Sequence, residues 1–168
     1  MNKELYVNKI EYILNYIQLN SENFFTFIDI ETTGLKGPKH EQITQMSAIV
    51  IKYNFSENEF KVIDKFDEKI KLNNYIKSIY TNENERIKDV LRMNRYGSGD
   101  FKYKPEKTVF DLFFNFLKKY ENSIIFVQNS EFDIKYISVR SNRKIKNRIF
   151  DTKKMIQFYF LPLLKTLA

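Results

Sequence analysis

The chain contains no cysteine, a single histidine, four glycines and three prolines in 168 residues. Without cysteine there is no disulfide framework, no thiolate zinc site and no cysteine nucleophile. No run of apolar residues approaches the length of a membrane span, and Met1-Asn2-Lys3-Glu4 is not the start of a signal peptide. No internal repeat or low-complexity linker interrupts the sequence. A cytoplasmic (intracellular, reducing) location is the default expectation, with no membrane partner.

What is present is enough for one ordinary domain with a sizeable core. Hydrophobic residues make up 43% and aromatic residues 16%, which excludes disorder over most of the chain. Lys and Arg number 28 against 21 Asp and Glu, a formal net charge of +7. That balance favours an anionic partner such as nucleic acid. The abundance of Lys, Asn, Ile, Phe and Tyr is also what a nucleotide-composition bias would produce, so the charge gives only mild support.

Apolar spacing at Tyr6, Ile10, Ile13, Leu14 and Ile17 predicts an amphipathic helix within residues 1–23. Strands are expected over Phe24–Ile30, Ile43–Tyr53 and Phe60–Phe66, the last two joined by a turn at Ser56-Glu57-Asn58-Glu59. Short connections make these three an antiparallel meander. Residues 71–104 read as short helices and loops. Pro105 opens a helix with Val109, Phe113, Phe116, Leu117 and Tyr120 on one stripe. That stripe has core spacing and is not a base-stacking platform. A buried strand over Ser123–Val127, a helix over Asn129–Val139, a brief strand at Arg148–Phe150 and a helix over Thr152–Phe160 follow, and Leu161–Ala168 begins another apolar helix. Strands first, then alternating helix and strand, indicate an α/β sheet, antiparallel on one side and parallel on the other.

Two acids stand at the carboxyl end of the first strand, in Phe27-Ile28-Asp29-Ile30-Glu31-Thr32-Thr33-Gly34. Side chains alternate along a strand, so Asp29 and Glu31 share a face. Neighbouring carboxylates repel unless a cation lies between them or one is protonated. Clustered oxygen ligands suit Mg²⁺ or Mn²⁺ rather than zinc or copper. The alternative is an acidic pair solvated at a strand end. A second segment, Gln128-Asn129-Ser130-Glu131-Phe132-Asp133, tips the balance. Asn129 is placed to cap the following helix, and Asp133, four residues on, lies on the same helical face. From the first turns of a helix beside the sheet rim, Asp133 can reach toward Asp29 and Glu31.

Together these residues resemble the DnaQ-like, four-acid (DEDD-type) 3′–5′ exonucleases. Asp29-Ile30-Glu31-Thr32-Thr33-Gly34 is similar to their first motif and Asn129-Ser130-Glu131-Phe132-Asp133 to their second. Phe150-Asp151-Thr152 resembles the Asp-Thr pair at the next strand end, and Leu161–Leu167 the leucine-rich helix after it. The resemblance covers roughly residues 24–168, an exonuclease-like domain after the N-terminal helix of residues 1–23. It implies an RNase H-like mixed sheet flanked by helices. It also implies hydrolysis of terminal phosphodiesters of DNA or RNA with two Mg²⁺ or Mn²⁺ ions held by Asp29, Glu31 and Asp133 as metal ligands and catalytic residues. Thr32, Thr33, Leu35, Asn129 and Phe132 fall where the family holds the terminal nucleotide.

The departures define further expectations. Gln128 stands where many relatives have histidine. The family's third motif, a His or Tyr base followed by a fourth Asp, would lie beyond Ala168, so the domain is expected to be C-terminally incomplete. A missing base removes a factor of about 10²–10⁴ in rate, which makes the 168 residues a weak or inactive exonuclease. Expected partners are a nucleic-acid 3′ end and either a polymerase or the missing C-terminal segment. The alternative is a non-catalytic nucleic-acid- or polymerase-binding relative. A phosphohydrolase or RNase H-like transferase is a third reading, since such enzymes group carboxylates on the same type of sheet. His40 is expected to be a solvated loop residue and Asp151 a helix cap. Arg140, Arg143, Lys144, Lys146 and Arg148 read as a phosphate-binding loop or a solvated connector. Glu41, Asp64, Asp67 and Glu68 are expected at the surface.

Overall fold

A computed structural model describes residues 24–54, 57–81, 85–97 and 102–157. The expected N-terminal helix, the helix over Leu161–Ala168 and the end of the one over Thr152–Phe160 lie outside these residues.

Five strands form one sheet in the order β3-β2-β1-β4-β5. β1 (Phe24–Thr32), β2 (Ile43–Asn54) and β3 (Glu59–Lys69) follow one another, and each neighbouring pair is antiparallel. β4 (Ile124–Val127) runs parallel to β1, and β5 (Ile149–Asp151) runs parallel to β4. This is the expected mixed sheet, antiparallel on one side and parallel on the other, with β1 in the middle. Two helices, α1 (Asn74–Thr81) and α2 (Glu85–Met93), follow the meander; α3 (Glu106–Lys119) precedes β4, α4 (Ser130–Ser141) connects β4 to β5, and α5 (Thr152–Met155) follows β5.

The alternation of β1 sends Ile28 and Ile30 to one face. There they join Met46, Ala48 and Val50 of β2 and Val109, Phe113, Phe116 and Leu117 of α3 in the main core, which Tyr136 and Ile137 of α4 complete. Pro105 occupies the N-cap position of α3, as its fixed φ and missing N–H favour, and Glu106 follows it. The opposite face of β1 carries Phe25, Phe27, Asp29 and Glu31. Phe25 is buried beside Ile124, whereas Phe27, stacked on Phe126 with centroids 5.3 Å apart, is 43% exposed. The strand face thus grades from aromatic to acidic toward its carboxyl end.

α1 and α2 form a smaller cluster through Ile76, Ile87 and Leu91, with Leu72 from the preceding segment. It is tied to the acidic end of β1 by Asn94, whose Nδ2 donates to the Thr32 carbonyl at 3.1 Å. The weak apolar pattern of residues 71–104 reflects this small, separate core.

Candidate active site

Asp29 and Glu31 lie on the sheet face away from the main core, Asp29 exposed and Glu31 half-buried. Their strand outruns its neighbour. β4 pairs with β1 only from Phe25 to Phe27 and ends at Val127. Farther along β1, the N–H of Ile30 takes a side-chain acceptor instead. Asp133 Oδ1 accepts this N–H at 3.2 Å. The acceptor arrives because α4 starts directly after β4, which puts the first-turn Asp133 at the sheet rim. The third acid is therefore bonded to the backbone of the residue between the other two.

This arrangement concentrates negative charge. Asp133 is only 4% exposed, and burial, with the charges of Asp29 and Glu31, pushes its carboxyl from 3.8 up to about 7 against the opposing backbone hydrogen bonds. Burial also raises the Asp29 carboxyl, partly countered by the Ile30 backbone. Burial and the adjacent Asp29 raise that of Glu31. Among the described residues no group of three or more His, Cys, Asp or Glu side chains is drawn together tightly enough to hold a metal ion. Mutual repulsion favours such spreading, and Asp133 is held by Ile30 N–H. The donor chemistry nonetheless fits a hard divalent cation: three carboxylates, no sulfur, and a field that disfavours their own ionisation.

The other predicted residues divide. Leu35 is 75% exposed in the loop after β1. Phe132 is partly buried against the core and packs on Tyr136, with centroids 4.7 Å apart. Thr32 and Thr33 are buried. Thr32 Oγ1 donates to the Gly34 carbonyl at 2.8 Å, and Thr33 Oγ1 donates to Glu41 Oε2 at 2.6 Å while accepting from Gln42 N at 3.0 Å. Both hydroxyls thus shape the loop from inside.

Asn129 occupies the N-cap position of α4 but does not cap it, contrary to the sequence expectation. Its backbone is left-handed (φ 64°) and its side chain makes no cap bond. Instead Asn129 Oδ1 accepts from Lys153 Nζ at 3.2 Å. The capping carboxylate comes from Asp151, which accepts from Asn129 N (3.2 Å), Ser130 N (2.9 Å) and Ser130 Oγ (2.8 Å). Asp151 also accepts from Lys153 N and Lys154 N, capping α5 as expected. Burial pushes its carboxyl up, but the bonds from Ser130, Lys154 and Asn129 prevail and hold it below the usual range.

Two further expectations are corrected. Glu41 is buried at 5% exposure, because it receives Thr33 Oγ1 and packs under Gly34. Arg140 belongs neither to a solvated connector nor to a phosphate loop. Its guanidinium pairs with both carboxylate oxygens of Glu106 and donates to the carbonyls of Pro38 (3.1 Å) and Glu41 (2.8 Å). The spacing Asp133, Tyr136, Arg140 on one helix was the available signal for this role. Arg143 pairs with Asp111, while Lys144, Lys146 and Arg148 are exposed. His40 and Gln128 are exposed.

Among solved structures, the family B DNA polymerase from the hyperthermophilic archaeon Pyrobaculum calidifontis is similar at 13% identity and a TM-score of 0.45, over 81% of this chain and 16% of that one. Cell-death related nuclease 4 (CRN-4) is similar at 11% identity and a TM-score of 0.41, over 73% of this chain and 42% of that one. The chain therefore spans less than half the length of either. Comparison with curated protein sequences finds no match. The match to the DNA polymerase family B, exonuclease domain, extends over residues 10–159, taking in all five strands and both acid segments, and the chain belongs to that family.

Proposed function

We propose that the chain is a metal-dependent 3′–5′ exonuclease domain in which Asp29, Glu31 and Asp133 hold two Mg²⁺ or Mn²⁺ ions at the 3′ end of a nucleic acid. The observation that supports this reading is the bond from Ile30 N–H to Asp133 Oδ1, which ties the helix acid to the backbone of the residue between the two strand acids. Bound divalent ions supply a water nucleophile of lowered pKa and stabilise the departing 3′ oxygen. The chain's own residues do the rest. Asp29 and Glu31 present carboxylates from a rigid central strand, and Asp133 adds a third from a helix start. Exposed Leu35, with Asn129 and Phe132, flanks the terminal nucleotide. The family's DNA polymerase membership favours DNA over RNA and a polymerase as partner. The +7 charge supports an anionic substrate.

The two acid segments themselves carry no His or Tyr to act as general base, a contribution of about 10²–10⁴ in rate, so turnover resting on Asp29, Glu31 and Asp133 alone is expected to be slow. The test is release of the 3′-terminal nucleotide from an end-labelled DNA oligonucleotide with Mn²⁺ under single-turnover conditions, comparing the chain with Asp29→Asn. Slow metal-dependent release that the substitution abolishes supports the reading. Equal release by both proteins contradicts the ligand assignment. No Mn²⁺ binding, together with salt-sensitive oligonucleotide binding, favours the non-catalytic relative.

A further inference from the structure

The geometry points to Tyr136 and Arg140 as positioning residues that hold the acidic end of β1 and its following loop in register with Asp133; this rests on the metal-site reading above. The β1–β2 ladder alone does not fix that end. Its register shifts between Glu31 and Thr32, the irregularity that bends a strand and locally interrupts pairing. Beyond it the chain makes a loop, residues 33–42, before β2 begins.

α4 grips this segment at successive points. Asp133, Tyr136 and Arg140 are spaced three and four apart, so they form one stripe along about 10 Å of helix. Asp133 accepts from Ile30 N. One turn on, the buried Tyr136 hydroxyl donates to the Gly34 carbonyl at 3.0 Å and accepts from Gly37 N at 3.2 Å. A further turn on, Arg140 donates to Pro38 and Glu41 carbonyls. Glu106 of α3 orients Arg140 by a two-point ion pair that uses its remaining guanidinium face. Glu41 then closes the neck of the loop through Thr33, with Thr33 N donating to Gln42 O at 2.9 Å.

One rigid helix therefore supplies the third acid and also sets the path of the chain that leaves the other two. A change at Tyr136 or Arg140 frees the Glu31 end of β1 to move relative to Asp133 without altering Asp29, Glu31 or Asp133. Lysine at position 140 keeps the charge but lacks the planar fork that serves Glu106 and two carbonyls together.

The test is titration of the full chain with Mn²⁺ alone by calorimetry, for the unmodified protein, Tyr136→Phe, Arg140→Lys and the control Arg143→Ala. The control removes the exposed pair with Asp111 and the cation–π contact with Phe114, neither of them a partner of β1 or its loop. Weakening of Mn²⁺ binding by about tenfold is expected for Tyr136→Phe and Arg140→Lys, the usual effect of losing an outer partner of a ligand set. Arg143→Ala should bind like the unmodified chain. Hydrogen exchange should quicken at the Gly37 amide in Tyr136→Phe. If that variant does not fold, Arg140→Lys decides alone. Unchanged Mn²⁺ affinity in folded variants overturns the positioning role and leaves the metal site intact. Absence of Mn²⁺ binding by the unmodified chain overturns the metal-site reading, and this inference with it.

Discussion

Replacing Asp133 with asparagine should stabilise the metal-free protein above neutral pH. Asp133 is nearly inaccessible, faces Asp29 and Glu31, and has its carboxyl raised from 3.8 to about 7 by burial and those charges. The folded state therefore binds this proton more tightly than the unfolded chain does. Stability from this group is fully present below 3.8 and is lost as pH rises through about 7. At about 1.4 kcal/mol for each pH unit separating the two values, the upper bound on that loss is roughly 4 kcal/mol. Asparagine carries no charge, and its Oδ1 can still accept from Ile30 N–H. Thermal unfolding in chelator at about pH 8 should show the variant ahead by about 1–4 kcal/mol, several degrees for a chain of this size. At about pH 5 the advantage should shrink, because the native carboxyl is then mostly protonated. Excess Mn²⁺ should reverse the order at the higher pH, since the unmodified chain, with all three proposed ligands, gains more binding free energy than the variant. A variant less stable than the parent at both pH values without metal would refute the claim that this charge is held at a cost to the fold.

Other predictions concern the frame around the site. Phe113→Ala, in the middle of the α3 stripe that covers the sheet, should lower unfolding free energy by about 3–5 kcal/mol in urea titration. Gly34→Ala would place a Cβ 2.6 Å from Glu41 Oε1; because Thr33 holds that carboxylate, we expect a loss of about 1–3 kcal/mol in the same assay. Asp151→Ala removes the cap of two helices and should cost about 1–2 kcal/mol. The Asp151 carboxyl is depressed in the fold, so its stabilisation is present above the unfolded value and fades as pH falls through the folded one. The deficit of the variant should accordingly narrow in acid, read from thermal midpoints across pH.

Much of the sheet was legible because its strands are marked by local chemistry. The aromatic and β-branched run of β1, the turn at Glu57-Asn58 and the Pro105 helix start each carry their own signal. The strand order follows from short connections and from the crossover through α4. The placement of Asp29 and Glu31 on one strand face and of Asp133 at a helix start was likewise readable, the first from strand alternation and the second from the cap signal before it. What escaped was set by tertiary partners. Asn129 has a capping residue's identity and position, but a left-handed backbone turns its side chain away, and Asp151 takes its place from 22 residues downstream. Glu41 and Arg140 look like surface charges until Thr33, Glu106 and the loop carbonyls are brought to them by the fold. Periodicity cannot report such partners, because none lies on the same element.

The proposal that Asp29, Glu31 and Asp133 share divalent ions is tested most directly by substoichiometric Mn²⁺ in an amide NMR spectrum of the full chain. The account predicts paramagnetic broadening centred on Asp29–Thr32 and on Ser130–Asp133. The amides of Glu57 and Asn58, in the turn at the far end of the sheet, should stay sharp, β1 alone separating them from the site by more than about 20 Å. Broadening confined to Asp29–Thr32, or spread over scattered acidic side chains with Asp133 untouched, would contradict it.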